Sequence, residues 1–285
     1  MKKIRYFFEY IIVSLLFILF KFIGYQNSSN IGAKIGKIFG PIFRSKNIIK
    51  KNLEYAGIKS ETEQKKVIEE MWENYGRILA EYPFLKKFKT NELKKYITIE
   101  GQEYLSDIKS KNKKAVFVSG HFNNFELMAM QLENLGVDLA AIYRPLNNFL
   151  MNRKIEKIRI NHICKKQIKK GKSGTRDVLK YLNQGTSIAL MIDQRVSEGK
   201  KIKFFNKFAF TTTIPAQIVT KYECVVIPIY IERYNKYYFK MKISKPLNLS
   251  KNDSLEFISE KLNNLLEKMI MRNPSQWIWS HNRWK

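Results

Sequence analysis

Of the three histidines in this 285-residue chain, His121 stands where reactive groups are most readily assembled. Ala115 to Val118 is a short apolar, β-branched run of buried-strand type, and Gly120 is a flexible joint directly after it. Phe125 to Leu135 then reads as a helix. His121 therefore falls at a strand-to-helix turn, where α/β folds hold ligands and reacting groups. Glu126 follows five positions on, a spacing that would leave two side chains of one helix about 140° apart. They can converge if His121 lies in the turn and Glu126 on the first helical turns. The carboxylate would then hold one ring nitrogen protonated and leave the other to take a proton from a hydroxyl. Transfer of an acyl group to an alcohol suits this pair. No serine or cysteine beside His121 forms an elbow of the G-x-S-x-G kind, so direct attack by the substrate hydroxyl is expected, without an acyl-enzyme intermediate.

The positions that would surround this turn also carry polar groups. Val137 to Tyr143 reads as a second strand, with Arg144 at its end. A basic helix over 147–163 carries Arg153 and Arg159, about 120° apart in direction, so that only one can face the site. Lys172 to Asn183 is helical, with Arg176 near its start, where a phosphate at the helix N-terminus would make a basic residue favourable. Ser187 to Ile192 is a third strand, and Asp193 falls at its end. Three strands with polar residues at their C-terminal ends make one rim of a mostly parallel sheet flanked by helices, an α/β fold. Asp193 is read in two ways: it orients Arg144 or Arg159, or it caps the following turn. His162, amid lysines, reads as a solvated surface group. Val225 to Ile231 and Tyr237 to Ile243 are two more strands, and Ser254 to Met271 is an amphipathic helix.

The segment Gly120-His121-Phe122-Asn123-Asn124-Phe125-Glu126 resembles the H-x4-D/E acyltransferases. Within them it resembles the lipid A late acyltransferases, the lauroyl and myristoyl transferases of Gram-negative bacteria. Matches follow in order at Tyr143 to Asn148, Asp193-Gln194, Phe204-Phe205, Pro228 and Gln276 to Lys285, with a looser one over Arg44 to Leu53. Asn123 and Phe125 stand where the pattern has glycine and tryptophan, and Asn206 where glycine commonly follows the paired phenylalanines. The resemblance implies that His121 and Glu126 are catalytic, with Asn124, Arg144, Arg159, Arg176 and Asp193 around the substrate. By position in that pattern Arg159 is the helix arginine at the site. The resemblance further implies no metal or cofactor, an acyl carrier protein as acyl donor, and a phosphorylated membrane glycolipid such as a lipid A precursor as acceptor. It places the enzyme at the bacterial inner membrane, with the catalytic domain on the cytoplasmic face. A lysophospholipid or another glycolipid acceptor, with acyl-CoA or acyl carrier protein as donor, is the alternative within the same chemistry. A non-catalytic basic membrane-binding protein is the alternative outside it.

Composition agrees with an anionic partner. The 52 basic against 25 acidic residues give +27, which suits a phospholipid surface, a phosphorylated glycolipid or an acidic carrier protein. Nucleic acid also qualifies by charge, but no binding motif for it is present, and none is expected as a partner. Cys164 and Cys224 lie without C-x-x-C spacing or a histidine at ligand distance, so reduced thiols are expected and a zinc site is not.

From Tyr6 to Tyr25 the chain is interrupted by charge only at Glu9 and Lys21. Its uninterrupted core, Tyr10 to Phe20, is shorter than the ~20 residues a helix needs to cross a bilayer, and snorkelling of Lys21 extends it to a marginal span. With no small-residue cleavage site after it, residues 1–26 read as a membrane anchor ahead of an acyltransferase domain over 27–285. Lys46, Lys50 and Lys51 favour a cytoplasmic domain. Ile31 to Phe43, with Gly32, Ala33, Gly36 and Gly40, reads either as an interfacial helix packing on the first helix or on lipid, or as a plain surface helix. Glu61 to Phe88 reads as a scaffold helix that Pro83 ends or kinks. Phe204 to Phe210 reads either as a loop leading to a helix N-cap or as a wall for an acyl chain or a membrane contact, and the tryptophans of the last nine residues suit a headgroup interface. His281 reads as structural or substrate-side.

Overall fold

Ala115 to Ser119 is buried at all five positions, as a strand covered on both faces must be. The computed structural model describes residues 2–110 and 113–285, and this run is the second of nine strands among them. In chain order the elements are α1 (Lys2–Ile23), α2 (Tyr25–Phe39), α3 (Lys46–Tyr55), α4 (Glu61–Glu81), α5 (Leu85–Lys89), β1 (Ile97–Glu100), α6 (Ser106–Lys109), β2 (Ala115–Ser119), α7 (Glu126–Asn134) and β3 (Leu139–Tyr143). They continue as α8 (Phe149–His162), β4 (Lys166–Lys169), α9 (Lys172–Asn183), β5 (Ser187–Met191), β6 (Lys200–Phe204), β7 (Lys207–Thr211), α10 (Ile214–Tyr222), β8 (Val225–Tyr234), β9 (Tyr238–Ile243) and α11 (Leu255–Arg272).

Seven strands form one sheet in the order β1-β9-β8-β2-β5-β3-β4. Every pairing in it is parallel except β8 with β9, which a tight turn joins as a hairpin. The α/β expectation therefore holds. The order also carries the main consequence for the site: β5 lies directly beside β2, with Ser119 opposite Met191. The residues that leave these two strands, His121 and Asp193, must emerge side by side.

Pro83 ends the scaffold helix, as expected: α4 stops at Glu81, and Pro83 sits in the 3-10 turn that follows, where its missing N–H costs nothing. Other elements differ from expectation. Phe204 to Phe210 belongs to a β6–β7 hairpin whose turn residues, Phe205 and Asn206, both have positive φ. That is the conformation two-residue hairpin turns require. The small-residue stripe of α2 packs on α4, and neither α1 nor lipid covers it. A Cβ added at Gly36 would lie 2.1 Å from the Trp72 carbonyl oxygen, and one at Gly32 would lie 2.4 Å from that of Gly76. Gly76 answers from α4, where an added Cβ would meet the Gly32 carbonyl oxygen at 1.9 Å. Backbone meets backbone here, so neither helix has a side chain that could move aside.

Helix α1 is the one helix among the described residues long and apolar enough to cross a membrane by length and composition. It also docks on the rest of the fold, with Phe17 and Phe20 buried.

Because the α2–α4 contact leaves no room for a methyl group, Gly76→Ala is expected to destabilise the protein by about 3 kcal/mol or more. Thermal unfolding in detergent should show this as a fall in Tm, while Gly57→Ala, whose added Cβ meets nothing within 4 Å, should show only the smaller cost of its positive φ.

Candidate active site

His121 leaves β2 through Gly120 and turns at Asn123, whose φ of 45° is left-handed. Asparagine tolerates that region better than other residues with a Cβ. The turn is held from three sides. Asp193, at the end of β5, accepts from the His121 backbone N–H at 2.8 Å through Oδ2 and lies 2.8 Å from the ring Nδ1 through Oδ1. The indole N–H of Trp277 donates to the same carboxylate at 2.9 Å. Asn123 donates its backbone N–H to the Gln276 carbonyl at 3.2 Å and its side-chain amide to the Ile231 carbonyl at 3.1 Å. Asn124 donates to Glu81 at 3.0 Å.

Glu81 is itself fully buried, and it forms a bidentate ion pair with Arg233 at 2.6 and 3.0 Å. It also accepts from the Ser29 hydroxyl at 2.9 Å. A buried carboxylate is tolerable only when its lone pairs are filled in this way. Its four donors tie α2, β8 and the turn that carries His121 to the end of α4.

Glu126, on the first turn of α7, accepts through Oε1 from Arg159 Nε at 2.9 Å and Nη2 at 2.5 Å. The hydroxyl of Tyr82 donates to the same oxygen. The Arg159 guanidinium also lies over the Tyr143 ring, 5.6 Å from its centre.

The electrostatics follow from these contacts. Burial alone would lower the pKa of His121, but the charge and hydrogen bond of Asp193, with a further contribution from Glu126, raise it above its ordinary value. Burial works in the opposite sense on Asp193. The facing imidazolium, the backbone N–H of His121 and Trp277 overcome it and hold the carboxyl down to about 2. With Nδ1–H donated to Asp193, the basic lone pair is on Nε2, and nothing among the described residues hydrogen-bonds that nitrogen. The His121 side chain keeps 21% of its surface exposed while Asp193 keeps none. Such an imidazole is oriented, shielded on one side and open on the other.

The whole chain, residues 1–285, matches the family model described as bacterial lipid A biosynthesis acyltransferase. It is 26% identical over 265 residues to a lipid A biosynthesis palmitoleoyltransferase of Escherichia coli (strain K12), covering 90% of this chain and 84% of that protein. A lipid A biosynthesis acyltransferase of Shigella flexneri matches with the same identity and coverage. A lipid A biosynthesis lauroyltransferase of Escherichia coli (strain K12) is 23% identical over 272 residues, with 90% and 84% covered. The chain belongs to the bacterial lipid A biosynthesis acyltransferase family. Its reaction class is acyl transfer in lipid A biosynthesis.

Within this lipid A acyltransferase, the residues expected at the site are distributed unevenly. His121 and Glu126 lie at one turn, but the carboxylate on the ring nitrogen is Asp193, and Glu126 is occupied by Arg159 and Tyr82. The helical start of α7 turns Glu126 toward α8, whereas strand adjacency puts Asp193 against the imidazole. Among the described residues Asp193 hydrogen-bonds His121 and Trp277, in place of the arginine or turn it was expected to hold. Arg159 reaches the site, as the choice over Arg153 required, though its guanidinium is engaged by a carboxylate. Asn124 is 0% exposed and faces Glu81, away from any opening. Arg144 and Arg176 are exposed at the rim.

Phe204 and Phe205 are buried, and with Trp277, Trp279 and Trp284 they form an aromatic cluster beneath the site, so they provide no exposed wall. Trp277 and Trp279 are likewise core residues with no headgroup contact. His281 is structural: its Nε2 accepts from the Arg195 backbone N–H at 3.0 Å, and burial first, then nearby arginines, bring its pKa down to about 4. Glu81, Tyr82 and Arg233 were not legible as site residues; a carboxylate after the apolar run Ile78 to Ala80 of α4 and an arginine near the end of β8 were their only sequence signals. Trp277 lay within a matched segment but was read as facing a headgroup interface, not as a donor to Asp193.

In Asp193→Asn the imidazole keeps its burial and loses the charge that outweighs it. NMR titration of the three histidines should therefore move His121 from above to below its ordinary value. An unchanged His121 titration would mean that Asp193 does not set its charge.

Proposed function

We propose that the protein transfers a fatty acyl group from the thioester of an acyl carrier protein to a hydroxyl of a phosphorylated glycolipid such as a lipid A precursor, with His121 as general base. One observation carries this reading: Asp193 holds Nδ1 at 2.8 Å and leaves Nε2 of a partly exposed imidazole without a partner among the described residues. Nε2 takes the hydroxyl proton as the oxygen attacks the thioester carbonyl. The tetrahedral intermediate collapses, the carbon–sulfur bond breaks, and the imidazolium returns its proton to the departing thiolate. The products are the ester and the free thiol of the donor, with no covalent enzyme intermediate. Asp193 keeps the tautomer and stabilises the imidazolium, the part that an orienting carboxylate plays in catalytic triads. Glu126 adds negative charge from further away and positions Arg159.

Charge around the opening supports an anionic acceptor. Arg144 stands beside Lys170, whose pKa is lowered by partial burial and then by the Arg144 charge. Two cations held together without full neutralisation favour a phosphate between them. The catalytic domain would then face the cytoplasm, where acyl carrier protein is available, with its opening toward the inner membrane.

His121→Ala should lower acyl transfer by at least about a thousandfold while the protein remains folded, since the general base contributes on the order of 10²–10⁴ and orientation is lost with it. In the wild type, kcat/KM should rise with pH as the imidazole deprotonates and fall away below its raised pKa. Full activity of His121→Ala would end the assignment. Arg144→Ala should raise KM for the phosphorylated acceptor by about tenfold, one charged hydrogen bond's worth, and leave kcat nearly unchanged. Lipid analysis of a deletion strain should show underacylated lipid A, whereas altered phospholipid alone would move the acceptor to a lysophospholipid.

A further inference from the structure

Helix α1 has two unlike faces. Ile4, Phe8, Ile12, Leu15, Leu19 and Phe22 recur at helical spacing, and each is at least 50% exposed. The opposite face is docked on the protein along its full length. Near the start, Asn148 donates to the Tyr6 carbonyl at 2.9 Å and to Glu9 at 2.9 Å, and the Tyr6 ring meets Phe149 edge-on. Asn148 also caps α8 by accepting from the backbone N–H groups of Leu150 and Met151, so this grip is built into the start of a helix. In the middle, Lys154 donates to the Ser14 hydroxyl at 2.7 Å. Toward the end, Phe17 stacks on Tyr82 and the Phe20 carbonyl accepts from Ser28 at 2.7 Å. One residue after α1, Gly24 turns with φ 80°. Tyr25 then enters the core among Phe84, Phe88 and Tyr96.

Twenty-two residues of helix measure about 33 Å, close to the thickness of a bilayer's hydrocarbon core. A helix that crossed would carry one end away from a catalytic domain confined to the other side. Here the same domain grips both ends. Crossing would also draw Glu9, Asn148 and Lys154 into hydrocarbon, where ionisable groups are costly.

We infer that α1 does not span the membrane but lies along its surface, with the stripe from Ile4 to Phe22 sunk in one leaflet of an anionic phospholipid bilayer. Charge fits that occupant: Lys2, Lys3 and Arg5 at one end and Lys21 at the other are exposed, where they meet lipid phosphates. Exposed Phe149, in contact with Tyr6, extends the apolar surface onto α8. From the reading above, the inference takes only that the surface is a bilayer.

Thiol labelling in the full-length chain tests it, because Cys164 and Cys224 are buried. Lys3→Cys and Lys221→Cys variants are treated with a membrane-impermeant maleimide in right-side-out spheroplasts and in inverted inner-membrane vesicles. Lys221 is exposed at the end of α10, which leads into the start of β8; β8 runs parallel to β2, so this is the end of the strands opposite to the one His121 leaves. Both positions should react in the same preparation and both be protected in the other. Reaction at position 3 and position 221 from opposite sides, or no reaction at position 3 in either, would overturn the inference.

A Phe8→Gln, Leu15→Gln, Leu19→Gln triple variant with unchanged Tm should lose at least tenfold in flotation with vesicles of phosphatidylethanolamine and phosphatidylglycerol. Retained flotation with loss of a crosslinked dimer would instead make the stripe a seam between two copies. Neither readout involves acyl transfer, so failure of the catalytic assignment would be seen separately.

Discussion

A carboxylate with no solvent exposure survives in a fold only if enough donors converge on it, and Asp193 is that constraint here. Its two oxygens are filled by the backbone N–H of His121, the ring of His121 and the indole of Trp277. These donors come from the end of β2 and from the C-terminal segment, so one ion fixes the turn, the tautomer and the path of the last residues together. Other contacts protect the arrangement. Asn52 of α3 donates to the carbonyls of Trp279 and His281, each at 2.8 Å. Buried Arg283 donates to the Phe210 carbonyl and the Thr211 hydroxyl while lying over Phe204. The C-terminal residues are therefore a wall of the site.

A second buried charge supports the turn from the other side. Glu81 meets Arg233 across two elements far apart in sequence, and its remaining lone pairs receive Ser29 and Asn124. Removing one member would strand the other, which is the costly way to break a buried pair. Beside it, Tyr82 and Arg159 fill the lone pairs of Glu126. The imidazole thus sits between two carboxylates of different duty: Asp193 touches it and orients it, while Glu126 acts on it through space and holds α8 by Arg159. Both favour the protonated ring, against burial that opposes it. Around this acidic centre stand exposed basic residues, Arg144, Lys170 and Arg176, so charge of opposite sign lies a short distance from the imidazole and its two carboxylates.

Much of the local structure was legible. Alternation and breakers placed β2, β3, β5, β8, β9 and most helices within a few residues, because runs such as Ala115 to Val118 commit to strand by their own side chains. The turn carrying His121 was legible for the same reason, and Asn123 at a left-handed position shows why an asparagine can stand where the family pattern has glycine. The short strands β1 and β4 and the β6–β7 hairpin were not: β1 is only four residues long, and lysines interrupt the apolar pattern of β4, β6 and the start of β7. The aromatic stretches were legible as unusual, yet their burial was not, because exposure depends on what folds over a residue.

By itself, then, the chain's order of residues determined most of the element types, the strand-end positions of His121, Arg144 and Asp193, the family and the class of reaction. Only the tertiary structure decided that Asp193, 72 residues beyond His121, is the carboxylate on its ring. It likewise decided that Glu126 belongs to Arg159, that glycines of α2 and α4 face each other, and that α1 is gripped at both ends. The physical reason is common to these cases. Local propensity and periodicity are encoded in neighbouring residues, whereas strand order, helix docking and the pairing of buried charges arise from contacts between segments whose adjacency no local pattern states.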